Sequence, residues 1–295
     1  MLRRDFVVAL GFAPIAGWAG GSPQKNSDES AAAFTTSVAA IERRTGGRIG
    51  VGVLDTHTGR RVGHRGGELF PMASTFKLLL AAQTLRLVDE GKEQLGRRIT
   101  YRREDLLAYS PATGPHADGP GMTVEALCEG TMTLSDNTAA NLLLASHGGP
   151  SALTAFVRSL GDAHTRLDRI EPALNEALPG DPRDTTTPET MVDTMQALVL
   201  GTALSPASRE KLQAWLLNNK TGDKRLRAGV PAGWRVGDKT GTGERGTAND
   251  VGVFWPPGRK PLLVSCYLTG GDASAAERDA AIAAVAAHVV QWAGG

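Results

Sequence analysis

The chain has 295 residues, enough to bury one large core or two modest ones. Its 41% hydrophobic and 21% charged residues match an ordinary soluble globular protein. A net charge of +1, with no basic run and few aromatics, gives no electrostatic support to nucleic-acid binding.

The amino terminus reads as an export signal rather than as part of the fold. Arg3 and Arg4 precede an apolar run, Phe6 to about Ala19, that is too short to span a bilayer. Gly17 and Ala19 offer a cleavage site, and residues 20–30 form a polar spacer. Two routes stay open, an ordinary secretory signal and a twin-arginine signal, which Arg3-Arg4-Asp5-Phe6-Val7 resembles. No cysteine follows the run to carry a lipid, and no later apolar stretch is long enough for a membrane helix. The protein is therefore expected in the periplasm or outside the cell.

A helix is expected over Ala31 to Arg44, then strands Ile49 to Asp55 and Arg61 to His64 joined by a turn at Thr58-Gly59. The pattern is next nearly all helical: Thr75 to Glu90, Thr123 to Thr133, Ala139 to Ser146, Ser151 to Leu160, Pro188 to Leu200 and Pro206 to Asn218. Strand patterns return at Trp234 to Lys239, Asp250 to Trp255 and Leu262 to Leu268, and Ser274 to Trp292 closes the chain as a helix. Cys128 and Cys266 read as small buried residues; a bridge between them is allowed but not suggested.

This order implies an α/β fold of the α+β sandwich type, with an antiparallel sheet built from both chain ends and flanked by helices. Residues 31–68 and 220–295 would form the α/β domain. Residues 69–219 would form an inserted all-helical domain carrying a loop at 169–184. An active site would sit in the cleft between them.

Four short patterns carry chemistry. Ser-x-x-Lys occurs at Ser22/Lys25, Ser74/Lys77 and Ser208/Lys211. The first lies in the spacer and the third in what reads as a solvated helix opening. Ser74 instead opens a long apolar helix, where the helix dipole favours developing negative charge, and Lys77 shares its face one turn later. A lysine forced onto an apolar face loses basicity and can act as a base; the plainer reading is a helix cap and a snorkelling lysine.

Lys-Thr-Gly occurs twice. Lys220-Thr221-Gly222 reads as the basic last turn of a helix with its glycine stop. Lys239-Thr240-Gly241 ends a strand run and leads into Thr242-Gly243, where an edge strand could bind a carboxylate; an exposed turn is the alternative. Ser135-Asp136-Asn137 stands between two helices, either as a cap or as a proton shuttle beside an amide-binding asparagine. Arg169 to Asn175 begins an irregular stretch rich in Pro, Gly and Asp that runs to Thr187, and its Glu171-Pro172 suits either a positioned general base or a solvated carboxylate.

Together, Ser74-Thr75-Phe76-Lys77, Ser135-Asp136-Asn137, Glu171-Pro172-Ala173-Leu174-Asn175 and Lys239-Thr240-Gly241 resemble the class A serine β-lactamases in order and approximate spacing. The likeness extends over nearly all the chain after the signal. It implies hydrolysis of penicillin- and cephalosporin-type β-lactams through a serine acyl-enzyme, and hence antibiotic resistance. The implied catalytic residues are Ser74, Lys77, Ser135 and Glu171, with either Lys77 or Glu171 as the base in acylation. Tyr109, Asn137, Asn175, Lys239, Thr240, Gly241 and Thr242 are the implied substrate-binding residues, and Arg169 with Asp184 would clamp the loop. A monomer is expected, acting on a small β-lactam with no cofactor, metal, nucleic acid or stable membrane association.

The chain also departs from the family. The arginine that many members carry shortly after the Lys-Thr-Gly strand falls at Ala248, and Arg225 lies where others place a substitute. Arg225 is therefore added to the substrate-binding set, against a solvated reading. The usual partner of Cys128 falls at Ala81, and Ala73 and Gly243 exclude another family bridge. The rival readings are a D,D-peptidase, which would lack the Glu171 loop, and a β-lactam sensor, which would carry a membrane anchor.

Overall fold

The computed structural model describes residues 23–294. The expected signal peptide, with Arg3-Arg4 and Ser22, lies outside the described residues.

Helix α1 spans Pro23–Thr45, so it starts inside the stretch expected to be spacer. Proline fits the first helical turn because its missing N–H would be unpaired there in any case. Strands β1 (Arg48–Asp55) and β2 (Arg61–His64) follow as a hairpin, with Gly59 turning at φ 78°. The chain then leaves the sheet for α2 (Phe76–Asp89), α3 (Val124–Thr133), α4 (Asn137–Ser146), α5 (Gly149–Ser159), α6 (Pro188–Met195) and α7 (Pro206–Leu217). It returns as β3 (Arg235–Thr242), β4 (Ala248–Trp255) and β5 (Leu262–Thr269), and ends in α8 (Ala275–Gly294).

The sheet order is β2-β1-β5-β4-β3, with every neighbouring pair antiparallel. The two chain ends meet at β1 and β5, and β3 is left as an edge. Side chains alternate across this sheet as strand geometry requires. Val264, Cys266 and Leu268 pack on the core beneath α1 and α8, whereas Leu263 and Tyr267 pack on the core shared with the helical part. Both cysteines are buried free thiols, one in each core.

Helix α2 is the axis of the helical part. It is buried from Phe76 through Leu85 and packs against α3, α4, α5 and α7, which explains why it is apolar on all sides. Lys77 is the sole charge within that buried run.

The helical part is not purely helical. Phe70–Pro71 pairs with Thr185–Thr186, and Arg98–Ile99 with Met122–Thr123. The irregular loop also contains a 3-10 turn at Ala173–Asn175. Short pairs of this kind carry no period that a sequence could show.

Two further expectations are corrected. Ser208 is buried rather than solvated, donating to Asp89 Oδ1 at 2.6 Å. Lys220-Thr221-Gly222 lies beyond the end of α7, which is capped at Asn218. Gly222 is needed for room rather than as a stop, since a Cβ there would lie 1.8 Å from Asp238 Oδ2.

Candidate active site

Ser74 lies in a 3-10 turn, Ala73–Thr75, that leads directly into α2. It caps neither element. Ala73, just before it, has φ 43°, a left-handed conformation that costs a non-glycine residue on the order of 1–2 kcal/mol. Ser135, on the facing connection between α3 and α4, has φ 60°. The two serines of the expected site thus sit at or beside strained backbone, held by cores that over-determine it.

Lys77 has no exposed surface, so it does not snorkel. Its Nζ lies 2.9 Å from Ser74 Oγ, 2.8 Å from the Ser135 carbonyl, 2.6 Å from Asn137 Oδ1 and 3.0 Å from Glu171 Oε1. Burial lowers its basicity, and the Glu171 carboxylate works against that shift. Ser74 Oγ in turn donates to Glu171 Oε1 at 3.2 Å. Nucleophile-type hydroxyl, amine and carboxylate are therefore in mutual contact.

Glu171 is almost fully buried and joined to Pro172 by a cis peptide. Its backbone is fixed by Asn141 on α4, which accepts the Glu171 N–H at 3.0 Å and donates to its carbonyl at 2.9 Å. Asn175 Nδ2 donates to Glu171 Oε2 at 2.5 Å, while the buried Asn175 Oδ1 has no partner among the described residues. Arg169 pairs with Asp184 at 2.6 Å and Glu176 at 2.7 Å, and Asp184 also accepts the backbone N–H groups of Asp168 and Arg169. The loop is tied at its root and in its middle.

The opposite wall is the edge strand β3. Lys239 is fully buried and donates to Ser135 Oγ at 3.0 Å and to the Thr240 carbonyl at 2.9 Å. Burial, reinforced by the charge of Lys77, lowers it to about 7. Gly241 lets the strand approach the serine turn, since a Cβ would meet the Met72 carbonyl at 2.8 Å. Arg225 reaches the same wall. It donates to the carbonyls of Gly241 and Asn249, to Thr242 Oγ1 at 2.8 Å and to Asp279 at 2.7 Å.

Ser74, Tyr109, Ser135, Asn137, Asn175, Thr240, Thr242 and Arg225 line one cleft of about 290 Å³, with Lys77, Glu171 and Lys239 buried beneath it. A larger hollow of about 640 Å³, beside Leu69, Leu178 and Arg245, contains none of them, so size alone does not mark the site.

The chain matches the family described as Beta-lactamase enzyme family over residues 33–293. It belongs to that family. Beta-lactamase L2 of Stenotrophomonas maltophilia is 49% identical over 258 residues, covering 87% of this chain and 85% of that protein. A beta-lactamase of Streptomyces albus G is likewise 49% identical, covering 86% and 82%. Among solved structures, an ancestral class A beta-lactamase superposes with a TM-score of 0.86 at 64% identity, covering 88% of this chain and 99% of that one. The protein is thus a class A β-lactamase by family, a hydrolase of β-lactams whose activity confers antibiotic resistance. Its mixed fold, with a five-stranded antiparallel sheet, is that of its class. Among the described residues, no helix is long and apolar enough to cross a membrane.

Sequence reasoning missed two residues in this β-lactamase. Asn141 lies one turn after Asn137 on α4, a spacing that puts both on one helix face. Thr221 lines the cleft and sits 2.5 Å from Thr240 Oγ1. Its only signal was a second Lys-Thr-Gly triplet placed shortly before a strand.

Proposed function

We propose that Ser74 is the nucleophile, and that Lys77, Ser135 and Glu171 move the protons of the reaction. The observation that carries this reading is the contact of Ser74 Oγ with both Lys77 Nζ and Glu171 Oε1. Ser74 Oγ attacks the lactam carbonyl carbon. Its proton passes to Glu171 when Lys77 is an ammonium, and to Lys77 when that amine is neutral. By family resemblance the oxyanion is held by the backbone N–H groups of Ser74 and Thr242. As the C–N bond breaks, Ser135 gives its proton to the nitrogen and is resupplied by Lys77 or Lys239, both within reach of its hydroxyl.

Any proton that Glu171 took in acylation returns to Lys77, which it contacts. Glu171 then takes a proton from the water that attacks the ester and passes it to the departing Ser74 Oγ. The unpartnered Oδ1 of Asn175 supplies an acceptor for that water. Tyr109 walls the cleft and Asn137 binds the substrate amide. Thr240, Thr242 and Arg225, which line the cleft, face its carboxylate, with Lys239 buried behind them and Gly241 beside them on the strand. Residues 31–68 with 220–295, and residues 69–219, are proposed as the two structural units. The apolar run Phe6 to Ala19 supports export to the periplasm or beyond, where the protein would act as a monomer.

Ser74→Ala tests the assignment. Turnover of benzylpenicillin should vanish with the circular dichroism spectrum unchanged, and intact-mass spectrometry should find no penicilloyl adduct. An adduct on another residue removes Ser74 from the role.

A further inference from the structure

The hydroxyl of Thr240 is proposed to face the substrate carboxylate, and that requires it to donate a hydrogen bond. The direction of its proton in the free protein follows from a chain of contacts behind it. The Thr221 N–H lies 3.1 Å from Asn219 Oδ1. A backbone N–H can only donate, so this amide atom is the oxygen. Consistently, Asn219 Nδ2 donates to Asp238 Oδ2 at 2.6 Å. An amide oxygen only accepts, so the Thr221 hydroxyl, 2.8 Å from the same atom, must spend its single proton there.

Thr240 Oγ1 lies 2.5 Å from Thr221 Oγ1. Two hydroxyls approach so closely only with a proton between them, and Thr221 has none left to give. The proton is therefore that of Thr240. It is directed at Thr221 Oγ1, on the same cleft wall, and Thr240 is left with lone pairs to present to an incoming anion.

We propose that Thr221 is a positioning residue that sets substrate affinity by engaging the Thr240 hydroxyl proton, so that a substrate carboxylate must draw it away from Thr221. The inference rests on the carboxylate-facing reading of Thr240. The chain behind Thr221 is anchored. Asn219 is buried, and Asp238 has no exposed surface and is also bonded to Arg227.

Thr221→Val keeps the shape of the side chain and removes the acceptor, leaving the Thr240 proton free to turn. The KM for benzylpenicillin should fall about two- to tenfold, the worth of one neutral hydrogen bond, with kcat within about twofold. Thr221→Ser should behave as the unmodified protein. In a Thr240→Val background, Thr221→Val should do nothing.

A KM that stays level or rises in Thr221→Val, while Thr240→Val alone raises it, overturns the proposal and spares the carboxylate reading. If Thr240→Val leaves KM unchanged, both fall together. Should Thr221→Val fail to fold, neutron diffraction on the unmodified protein reads the point directly. Deuterium between the two threonine oxygens supports the proposal, and deuterium directed into the cleft overturns it.

Discussion

Lys77 and Lys239 stand on opposite walls of one cleft, both without exposed surface, and they differ in their company. Lys77 touches a carboxylate, Glu171 at 3.0 Å, and has further oxygens on Ser74, Ser135 and Asn137. Among the described residues Lys239 bonds the Ser135 hydroxyl and a backbone carbonyl, the carboxylates of Asp238 and Asp250 act on it only at a distance, and the charge of Lys77 opposes its own. A buried ion with no counter-ion in contact sheds its charge more readily, and burial brings Lys239 to about 7. The helical wall is electrically complete in the free protein. The strand wall offers Lys239 no anion in direct contact, a place that a β-lactam carboxylate would fill.

The harshest way to break this contrast is to open the complete wall. Glu171→Ala should still acylate but deacylate about 10²–10⁴ times more slowly, the usual worth of a general base. An intact-mass trace should show a long-lived penicilloyl adduct, and turnover at the unmodified rate would remove Glu171 from the role.

On the other wall, Arg225→Ala should lower kcat/KM for benzylpenicillin about tenfold to a hundredfold, as for a lost charge-assisted hydrogen bond. Ala248 is paired in register with Thr242, the residue that Arg225 contacts, so the two share a sheet face. Adding Ala248→Arg to Arg225→Ala should therefore recover much of the loss. Steady-state kinetics on the two variants decide it, and an unimpaired Arg225→Ala enzyme ends the assignment.

The gentlest probe is pH. Below about 7 Lys239 carries its charge, and above that it loses it, so KM for an anionic β-lactam should climb through pH 7 to 9. The slope should be at most about tenfold per pH unit, and Lys239→Arg, which cannot lose its proton, should flatten it. The linked stability runs the other way. The unfolded chain holds the Lys239 proton up to about 10.5 and the folded one only to about 7, so this group favours folding increasingly as pH rises between them. An equally rising KM in Lys239→Arg would assign the pH effect elsewhere.

The frame of the molecule was legible because burial writes itself into sequence. The nearly unbroken apolar run of Leu262 to Leu268 and the continuous apolar run after Ser74 match β5 and α2 closely. The start of α1 was not legible, since the polar run Gln24 to Glu29 reads equally as a spacer and as the opening of a helix. At the site, the four expected motifs converge on one cleft. Asn141 and Thr221 escaped because their part is to bond another residue's backbone or hydroxyl, a relation set by distance in space and by no local pattern. Ser208 escaped for the same reason, its partner Asp89 being on a different helix.

The meeting of the two chain ends at β1 and β5 has a consequence in time. Arg48 pairs with Thr269 and Asp55 with Leu262, so the central ladder joins segments made at opposite ends of synthesis. Contacts of such long sequence separation close slowly, because the loop entropy is lost before the pairing rewards it. Strand β1 emerges early and must wait, its backbone unpaired on that side, until β5 follows. The edge strand with Lys239 reaches the sheet only through β4, which itself pairs with β5. Neither a nascent chain nor a fragment truncated before Leu262 has a second wall for the cleft, so activity should switch on only at the end of folding.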